Sequence, residues 1–321
     1  MSENTRPAEN SKGKIALVFP GQGSQSVGMG KALYENFAEA REVFAEADDS
    51  LGFRISDLCF AGSEAELQLT ANTQPAILTV SVAAYRVFKK HWDGLPSAAA
   101  GHSLGEYSAI VAANGMRFAD AVRIVRKRGL YMQEAVPVGT GAMAAIIGLD
   151  TKSIEEACIE ARTLGECAPA NYNSPKQVVI AGTTNAVEKA MELAKSKGAK
   201  RAIKLNVSAP FHCSLMQPAA EKLAEELREI EYFEPDFPIV HNFDALFNDS
   251  GKEISGMLKR QVASPVLWQQ SVENMAGRGI DTFIEIGPGK VLSGLIKQIY
   301  PEAKTFNIAD TESLNETINS L

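Results

Sequence analysis

A serine flanked by glycines is the pattern with the clearest chemical meaning in this chain. Gly101-His102-Ser103-Leu104-Gly105 fits G-x-S-x-G, in which a serine occupies a sharp strand-to-helix corner. The glycines are needed because side chains two residues before or after the serine would clash. The corner exposes the hydroxyl at a helix N-terminus, where free N–H groups can stabilise an oxyanion. The pattern therefore predicts Ser103 to be the nucleophile of an acyl transfer or hydrolysis.

A serine nucleophile needs a base, and the chain contains only four histidines. His91 lies at the polar end of a predicted helix, and His102 adjoins the serine in a turn where neighbouring side chains diverge. His212 lies in a loop interrupted by proline, and loops carry catalytic groups more often than strands do. His212 is therefore the predicted base, with His241, inside the strand-like segment IVHNF, as the alternative.

One arginine interrupts an otherwise apolar helical face. At about 100° per residue, Arg128 shares a stripe with apolar side chains, which are Ala121, Ile124, Val125, Met132 and Ala135. A buried guanidinium needs an anionic partner, because an unpaired buried charge is costly. The partner is either a structural glutamate or the carboxylate of a substrate, which the planar guanidinium can bind with two hydrogen bonds. The residues alone leave both alternatives open.

A glycine-rich turn follows the first predicted strand at residues 20–25, Pro-Gly-Gln-Gly-Ser-Gln. Its glycines do not give G-x-G-x-x-G, and no G-K-[ST] follows, so a nucleotide site is disfavoured. In nucleophile-elbow sites one oxyanion donor follows the serine and the other comes from an earlier strand-to-helix loop. The backbone N–H groups of Leu104 and Gln22 would fill those two places. Gly287-Pro-Gly-Lys290 is interpreted as a structural turn.

The elements that must hold these residues alternate between strand and helix, which predicts an α/β fold with a mostly parallel sheet. Helical periodicity over Val27–Asp48 and a strand over Pro238–Phe243 are examples. Residues 137–207 instead follow the order βαββαβ, which is typical of a ferredoxin-like domain. We expect a small domain at 137–207, inserted into a larger domain made of 14–136 and 208–321, after a disordered tail at 1–13.

Composition disfavours several classes of function and location. The 321 residues carry 32 Lys and Arg against 39 Asp and Glu, a net charge of −7, which disfavours general binding to nucleic acid or anionic membranes. The four cysteines show no metal-binding spacing, so we expect reduced thiols, an inert Cys213 and no metal site. With no signal peptide or apolar run long enough to span a membrane, a cytoplasmic protein is expected.

Six collinear motifs resemble one family. They are PGQGSQ at 20–25, GHSLGEYSA at 101–109, RG…MQEA at 128–135, NxNSPxQVVIAG at 171–182, PFHC at 210–213 and EIGPGKVL at 285–292. In order and spacing they resemble the malonyl-CoA:acyl-carrier-protein transacylases from about residue 14 to about residue 300. The resemblance implies a hydrolase-like α/β domain with a ferredoxin-like insertion. It also implies malonyl transfer from malonyl-CoA to the phosphopantetheine thiol of acyl carrier protein.

The resemblance also assigns roles to individual residues. It implies Ser103 as nucleophile and His212 as base, an oxyanion hole from the Gln22 and Leu104 amides, and Arg128 as the ligand of the malonyl carboxylate. It implies that a main-chain carbonyl orients the histidine, at the position of Gln261. The residues expected to line the pocket are His102, Met132 and Phe211, the last being typical of relatives that select malonyl over methylmalonyl.

Partners and alternatives follow from the same resemblance. We expect no cofactor beyond the two substrates, and a monomer. The alternatives are a serine esterase or thioesterase, and a malonyltransferase that serves a polyketide synthase. The carrier proteins of this family are acidic, so docking on a net negative enzyme needs a local basic surface. The candidate is a run of basic residues, which we call the basic cluster, at Lys195, Lys197, Lys200, Arg201 and Lys204.

Overall fold

The computed structural model describes residues 13–137, 139–207 and 209–321. Of the tail predicted at 1–13, residues 1–12 lie outside this range. Ser208, where the larger domain was expected to resume, also lies outside it. The described residues form two sheets covered by helices, so the predicted fold class is confirmed.

The larger sheet has six strands in the order β10-β9-β1-β2-β7-β8. All neighbours are parallel except β7 and β8, which pair antiparallel at the edge. The strands are β1 (Lys14–Phe19), β2 (Ala98–Gly101), β7 (Ile239–Val240), β8 (Phe247–Asn248), β9 (Ile280–Ile286) and β10 (Lys304–Ile308). The central strands are largely buried on both faces, as expected of a parallel sheet covered on both sides.

The smaller sheet is antiparallel, in the order β4-β5-β3-β6. Its strands are β3 (Gly141–Ile147), β4 (Cys167–Ser174), β5 (Gln177–Thr183) and β6 (Arg201–Lys204). Helices α8 (Thr151–Ala161) and α9 (Thr184–Ser196) connect them, which gives the predicted βαββαβ order. The two helices pack together over a separate small core. The strand order is that of a ferredoxin-like fold.

The remaining helices cover the larger sheet or connect its strands. They are α1 (Lys31–Asn36), α2 (Ala38–Leu51), α3 (Ile55–Ala61), α4 (Glu64–Gln68), α5 (Thr70–His91), α6 (Gly105–Ala112), α7 (Phe118–Glu134), α10 (Gln217–Arg228), α11 (Gly251–Val262), α12 (Trp268–Gly277), α13 (Val291–Ile299) and α14 (Thr311–Ser320). Helix α5 packs against α7, and sixteen of its 22 residues are buried. This pair of helices packs on one side of the sheet and supports the turn at residues 101–105, which we call the elbow.

Two predicted elements differ from those observed. The helix predicted over Val27–Asp48 begins only at Lys31, because Gly28 and Gly30 have φ of 94° and 76°, outside the helical region. It is also broken at Phe37, whose backbone is extended. The strand predicted over Pro238–Phe243 pairs only at Ile239–Val240. The chain then leaves the sheet, and the two residues that follow, His241 and Asn242, form hydrogen bonds to the elbow region instead.

Candidate active site

Ser103 stands on the strained corner that the G-x-S-x-G pattern predicts. It lies between β2 and α6 with a φ of 52°, a conformation that costs free energy in a residue other than glycine. A Cβ atom on Gly101 would lie 1.9 Å from the backbone of Gly105, and one on Gly105 would lie 2.1 Å from the carbonyl oxygen of Phe19. Both glycines are therefore required by close backbone approach.

The Asn242 side chain is hydrogen-bonded to the backbone of the turn that carries Ser103. Its Oδ1 accepts a hydrogen bond from the Ser103 N–H at 2.6 Å, and its Nδ2 donates to the carbonyl of Gly101 at 2.6 Å. These two bonds tie both sides of the strained residue to one buried side chain. No local sequence signal marks Asn242, because it arrives from a loop 139 residues away from Ser103.

His212 lies within hydrogen-bonding distance of the serine. The Ser103 Oγ is 2.7 Å from the His212 Nε2, and the His212 Nδ1 is 2.9 Å from the main-chain carbonyl oxygen of Gln261. A carbonyl can only accept, so the Nδ1 carries the proton and the Nε2 is free to accept the serine proton. Burial, and next the positive charge of Arg128, lower the pKa of His212 to about 3. The imidazole is therefore neutral at physiological pH.

Arg128 is buried as its place on the apolar stripe predicts, with 1% of its surface exposed. Its Nη1 donates to the Gln74 Oε1 at 2.8 Å, and its Nη2 donates to the Gln261 Oε1 at 2.8 Å and the Ser103 Oγ at 3.2 Å. Its carbon Cζ lies 5.6 Å from the centre of the Tyr107 ring. Burial lowers the pKa of this guanidinium.

Among the described residues, the groups that accept hydrogen bonds from this cation are all neutral. Within the described part of the chain, no carboxylate forms an ion pair with Arg128, and its Nε has no hydrogen-bond partner. The structural glutamate that the sequence left open as a partner is not in contact with it. Gln74, which the sequence analysis missed, comes from helix α5 and shows no pattern that distinguishes it from other buried polar residues.

His241, the alternative base, does not contact the serine. It is fully buried, and its Nδ1 is 2.5 Å from the Glu106 Oε1. Glu106 lies in the first turn of α6 and also accepts from the Asn242 N–H at 3.0 Å and the Gln261 Nε2 at 2.8 Å. Glu106 was not singled out from the sequence, although it lies within the motif GHSLGEYSA.

The loop at 20–25 packs directly against the elbow. A Cβ atom on Gly21 would lie 2.3 Å from the carbonyl oxygen of His102, so glycine permits this approach. The Gln22 side chain donates to the Thr70 Oγ1 at 3.4 Å. The backbone N–H groups of Gln22 and Leu104 donate no hydrogen bond to any residue in the described ranges. They are thus available to an oxyanion.

Two adjoining cavities open beside the serine. The smaller, of about 100 Å³, is lined by Ser103, His212, Arg128 and Gln74 together with the predicted pocket residues His102, Met132 and Phe211. The larger, of about 420 Å³, is lined mainly by the loop at 20–25, strands β4 and β5, the start of α13 and the segment 205–207. Gln22, Asn171 and His102 line both, and the His102 Nε2 bonds to the Asn173 Oδ1 at 2.8 Å.

The described residues offer neither a metal-binding cluster nor a membrane-spanning helix. Across 13–137, 139–207 and 209–321, no group of three or more His, Cys, Asp or Glu side chains has a metal-binding arrangement. None of the helices formed by these residues combines the length and apolarity that a membrane crossing requires.

Comparison with known proteins gives a consistent result. The acyl transferase domain family matches residues 16–315. The chain is 53% identical over 286 residues to the malonyl CoA-acyl carrier protein transacylase of Escherichia coli O157:H7, covering 89% of this chain and 93% of the relative. It is 49% identical over 310 residues to that of Bacillus subtilis (strain 168), covering 96% and 97%.

Solved structures agree over the whole fold. The crystal structure of an acyl carrier protein S-malonyltransferase from Vibrio cholerae O1 biovar eltor has a TM-score of 0.92 at 47% identity, covering 95% of this chain and 99% of that one. A second match is a chain in the structure of a type II PKS acyl-carrier protein in complex with its malonyl-transacylase. Its TM-score is 0.94 at 48% identity, covering 96% of this chain and 100% of that one. The chain therefore belongs to the acyl transferase domain family and, within it, to the malonyl CoA-acyl carrier protein transacylases.

Proposed function

We propose that this chain transfers the malonyl group of malonyl-CoA to the phosphopantetheine thiol of acyl carrier protein through a malonyl ester on Ser103. The observation that carries the proposal is a buried guanidinium, without a carboxylate partner in the described chain, facing the same small cavity as a serine–histidine pair. An acyl group without a carboxylate could not form an ion pair with this guanidinium. A malonyl group supplies the missing anion.

Acylation begins with proton transfer. The His212 Nε2 takes the proton of the Ser103 hydroxyl, and the serine Oγ attacks the thioester carbonyl of malonyl-CoA. The N–H groups of Gln22 and Leu104 stabilise the tetrahedral oxyanion, an effect worth roughly 3–4 kcal/mol for a donor in comparable sites. The Gln261 carbonyl holds the imidazolium formed at this point. His212 then protonates the departing CoA thiolate, which leaves malonyl-Ser103.

Deacylation uses the same groups in reverse order. His212 takes the proton of the carrier thiol, the sulfur attacks the serine ester, and the serine Oγ recovers a proton from His212. Neutral amide side chains in the larger cavity, among them Asn171, Asn173 and Gln177, can bond the amide groups of a pantetheine arm. That arm is common to CoA and to the carrier. The reaction as written requires no metal or redox cofactor.

Two other activities would use the same serine and histidine. A serine esterase or thioesterase would share the elbow and the base, but it would leave the buried Arg128 without a role. A malonyltransferase that serves a polyketide synthase would use the same chemistry with a different carrier. The complex of a type II PKS acyl-carrier protein with its malonyl-transacylase is a structural relative that motivates testing both kinds of carrier.

The test is the intact mass of the protein after brief incubation with malonyl-CoA. We expect a malonyl adduct on wild-type protein that maps to Ser103, is absent from Ser103→Ala and forms several orders of magnitude more slowly in His212→Ala. Addition of phosphopantetheinylated carrier should remove the adduct faster than water does. Rapid hydrolysis without transfer would indicate an esterase, and no adduct on wild-type protein would contradict the proposal.

A further inference from the structure

Glu106 is a fully buried carboxylate at the centre of the hydrogen bonds behind the site. It is 0% exposed and accepts three hydrogen bonds, from His241, from the Asn242 N–H and from the Gln261 side chain. Each of its two carboxylate oxygens therefore accepts at least one hydrogen bond from a buried donor, as a buried polar group requires. It does not line either cavity beside the serine.

Hydrogen-bond directions around His241 identify it as a donor to this carboxylate. The Asn248 Oδ1 accepts from the Ser250 N–H, and its Nδ2 donates to the Ser250 carbonyl, which fixes the orientation of the amide. The same Nδ2 therefore donates to the His241 Nε2, 3.2 Å away. The His241 Nε2 therefore accepts, and its Nδ1 donates to Glu106. Every described partner of the Glu106 carboxylate is thus a donor.

The side chain of Gln261 lies between this carboxylate and the cation of Arg128. Its Oε1 accepts from the Arg128 Nη2 at 2.8 Å, while its Nε2 donates to the Glu106 Oε2 and to the Ser103 carbonyl, both at 2.8 Å. A reversed amide would point its N–H groups at a guanidinium, so the two charges together fix its orientation. The main chain of the same residue binds the His212 Nδ1.

We propose that Glu106 is a positioning residue that supplies the counter-charge of Arg128 through the Gln261 amide, so that the guanidinium has no direct carboxylate partner and can bind the carboxylate of a substrate. This inference rests on the proposed malonyl transfer. A direct Arg128–Glu106 pair would satisfy the guanidinium and compete with the substrate. Through Gln261 and Asn242, Glu106 also holds the carbonyl that orients His212 and the turn that presents Ser103.

The proposal predicts effects of opposite sign on binding and on turnover. Removing the charge of Glu106 makes the Arg128 pocket more positive, so free malonate should bind more tightly. The same change releases the Gln261 amide and the elbow, so acylation should slow. A residue that only stabilises the fold would, when changed, weaken malonate binding and acylation together.

The experiment compares Glu106→Gln with wild-type protein by calorimetric binding of malonate and by the single-turnover rate of CoA release from malonyl-CoA. We expect malonate to bind roughly 3–10-fold more tightly and acylation to slow about 10–100-fold. Glu106→Asp keeps the charge but withdraws it from Gln261, so smaller changes of the same signs are expected. This second variant also tests the proposal if the glutamine variant does not fold.

Glu285→Gln is the matched control. Glu285 is another fully buried carboxylate, and it accepts hydrogen bonds from the Leu292 and Ser293 N–H groups at the start of α13. This variant should lower the unfolding midpoint without tightening malonate. Unchanged or weaker malonate binding in both Glu106 variants would overturn the inference. Failure of wild-type protein to form malonyl-Ser103 would instead contradict the proposed function.

Discussion

Arg128 influences the charge state of His212 across the small cavity that both line. Burial and the guanidinium lower the pKa of His212 to about 3, so the free enzyme keeps a neutral imidazole as the pH falls below the ordinary histidine range. A substrate carboxylate on Arg128 would offset the second of these causes. Substrate binding should therefore raise the pKa of His212, the proposed base.

A pH profile tests this coupling. For acylation by malonyl-CoA, kcat/KM reports the free enzyme and should stay level from about pH 8 to about pH 5, because His212 remains neutral over that range. The acid limb of kcat, which reports the complex, should lie at higher pH than the limb of kcat/KM. Single-turnover release of CoA at limiting and saturating substrate measures both. An acid limb of kcat/KM near the ordinary histidine pKa of about 6.5 would contradict the account.

At the scale of elements, the active site forms where two strand-to-helix turns meet. The elbow follows β2 and the loop at 20–25 follows β1, and these two strands are parallel neighbours. Their carboxyl ends therefore lie side by side at one edge of the sheet. The close contact of Gly21 with the His102 carbonyl brings the Gln22 amide to the elbow, so the proposed oxyanion hole would depend on packing between two turns.

Gly21→Ala tests this packing. The added Cβ atom would lie 2.3 Å from the His102 carbonyl oxygen, so the loop must move away from the elbow. We expect kcat to fall about 10-fold or more as the Gln22 donor shifts, with a smaller effect on KM for malonyl-CoA. Gly256→Ala in α11 is the control, because its Cβ has no atom within 4 Å and should leave activity unchanged. Equal kcat in both variants would argue against an oxyanion donor in this loop.

The sequence predicted those parts of the site that depend on local patterns. The glycines around Ser103 predict the sharp turn, and the helical periodicity around Arg128 predicts its buried position. Glu106, Asn242 and Gln74 were missed because their partners lie 54 to 155 residues away in the chain and meet only through sheet topology and helix packing. The role of Gln261 came from the resemblance alone, since a main-chain carbonyl as histidine partner leaves no side-chain signal.

At the scale of the whole molecule, the basic cluster lies on and just before the edge strand β6. Lys197 bonds to Glu156 and Glu160, and Lys204 bonds to Glu188, so part of its charge is neutralised. Lys195, Lys200 and Arg201 are exposed and form no ion pair with any described residue. The chain continues from β6 into Leu205–Val207, which lines both cavities. The unpaired charges therefore lie on the segment that leads to the site.

Charge reversal tests whether an acidic carrier docks on this edge. Lys200→Glu together with Arg201→Glu should raise the KM for carrier several-fold at low salt without changing acylation by malonyl-CoA. Lys304→Glu is the control, because that exposed lysine lies at the amino-terminal end of β10, away from the carboxyl ends that carry the site. An unchanged KM for carrier in the double variant would exclude docking through these residues.

The central claim is that Arg128 selects the malonyl group. Arg128→Ala should lower kcat/KM for malonyl-CoA about 100-fold or more, because the carboxylate would enter an uncompensated pocket. Acetyl transfer should hold or rise, since acetyl-CoA carries no such carboxylate. Arg126→Ala removes a guanidinium from the other face of the same helix, where it bonds to Asn72, and should leave the preference unchanged.

The most direct measurement is kcat/KM of Arg128→Ala for both thioesters, made beside its denaturation midpoint. We expect the preference to reverse toward acetyl-CoA. The free energy of unfolding should fall by much less than the ~3–5 kcal/mol that follows loss of one partner of a buried ion pair. A proportional loss of activity with both thioesters, together with a large drop in midpoint, would show that Arg128 supports the fold rather than the substrate.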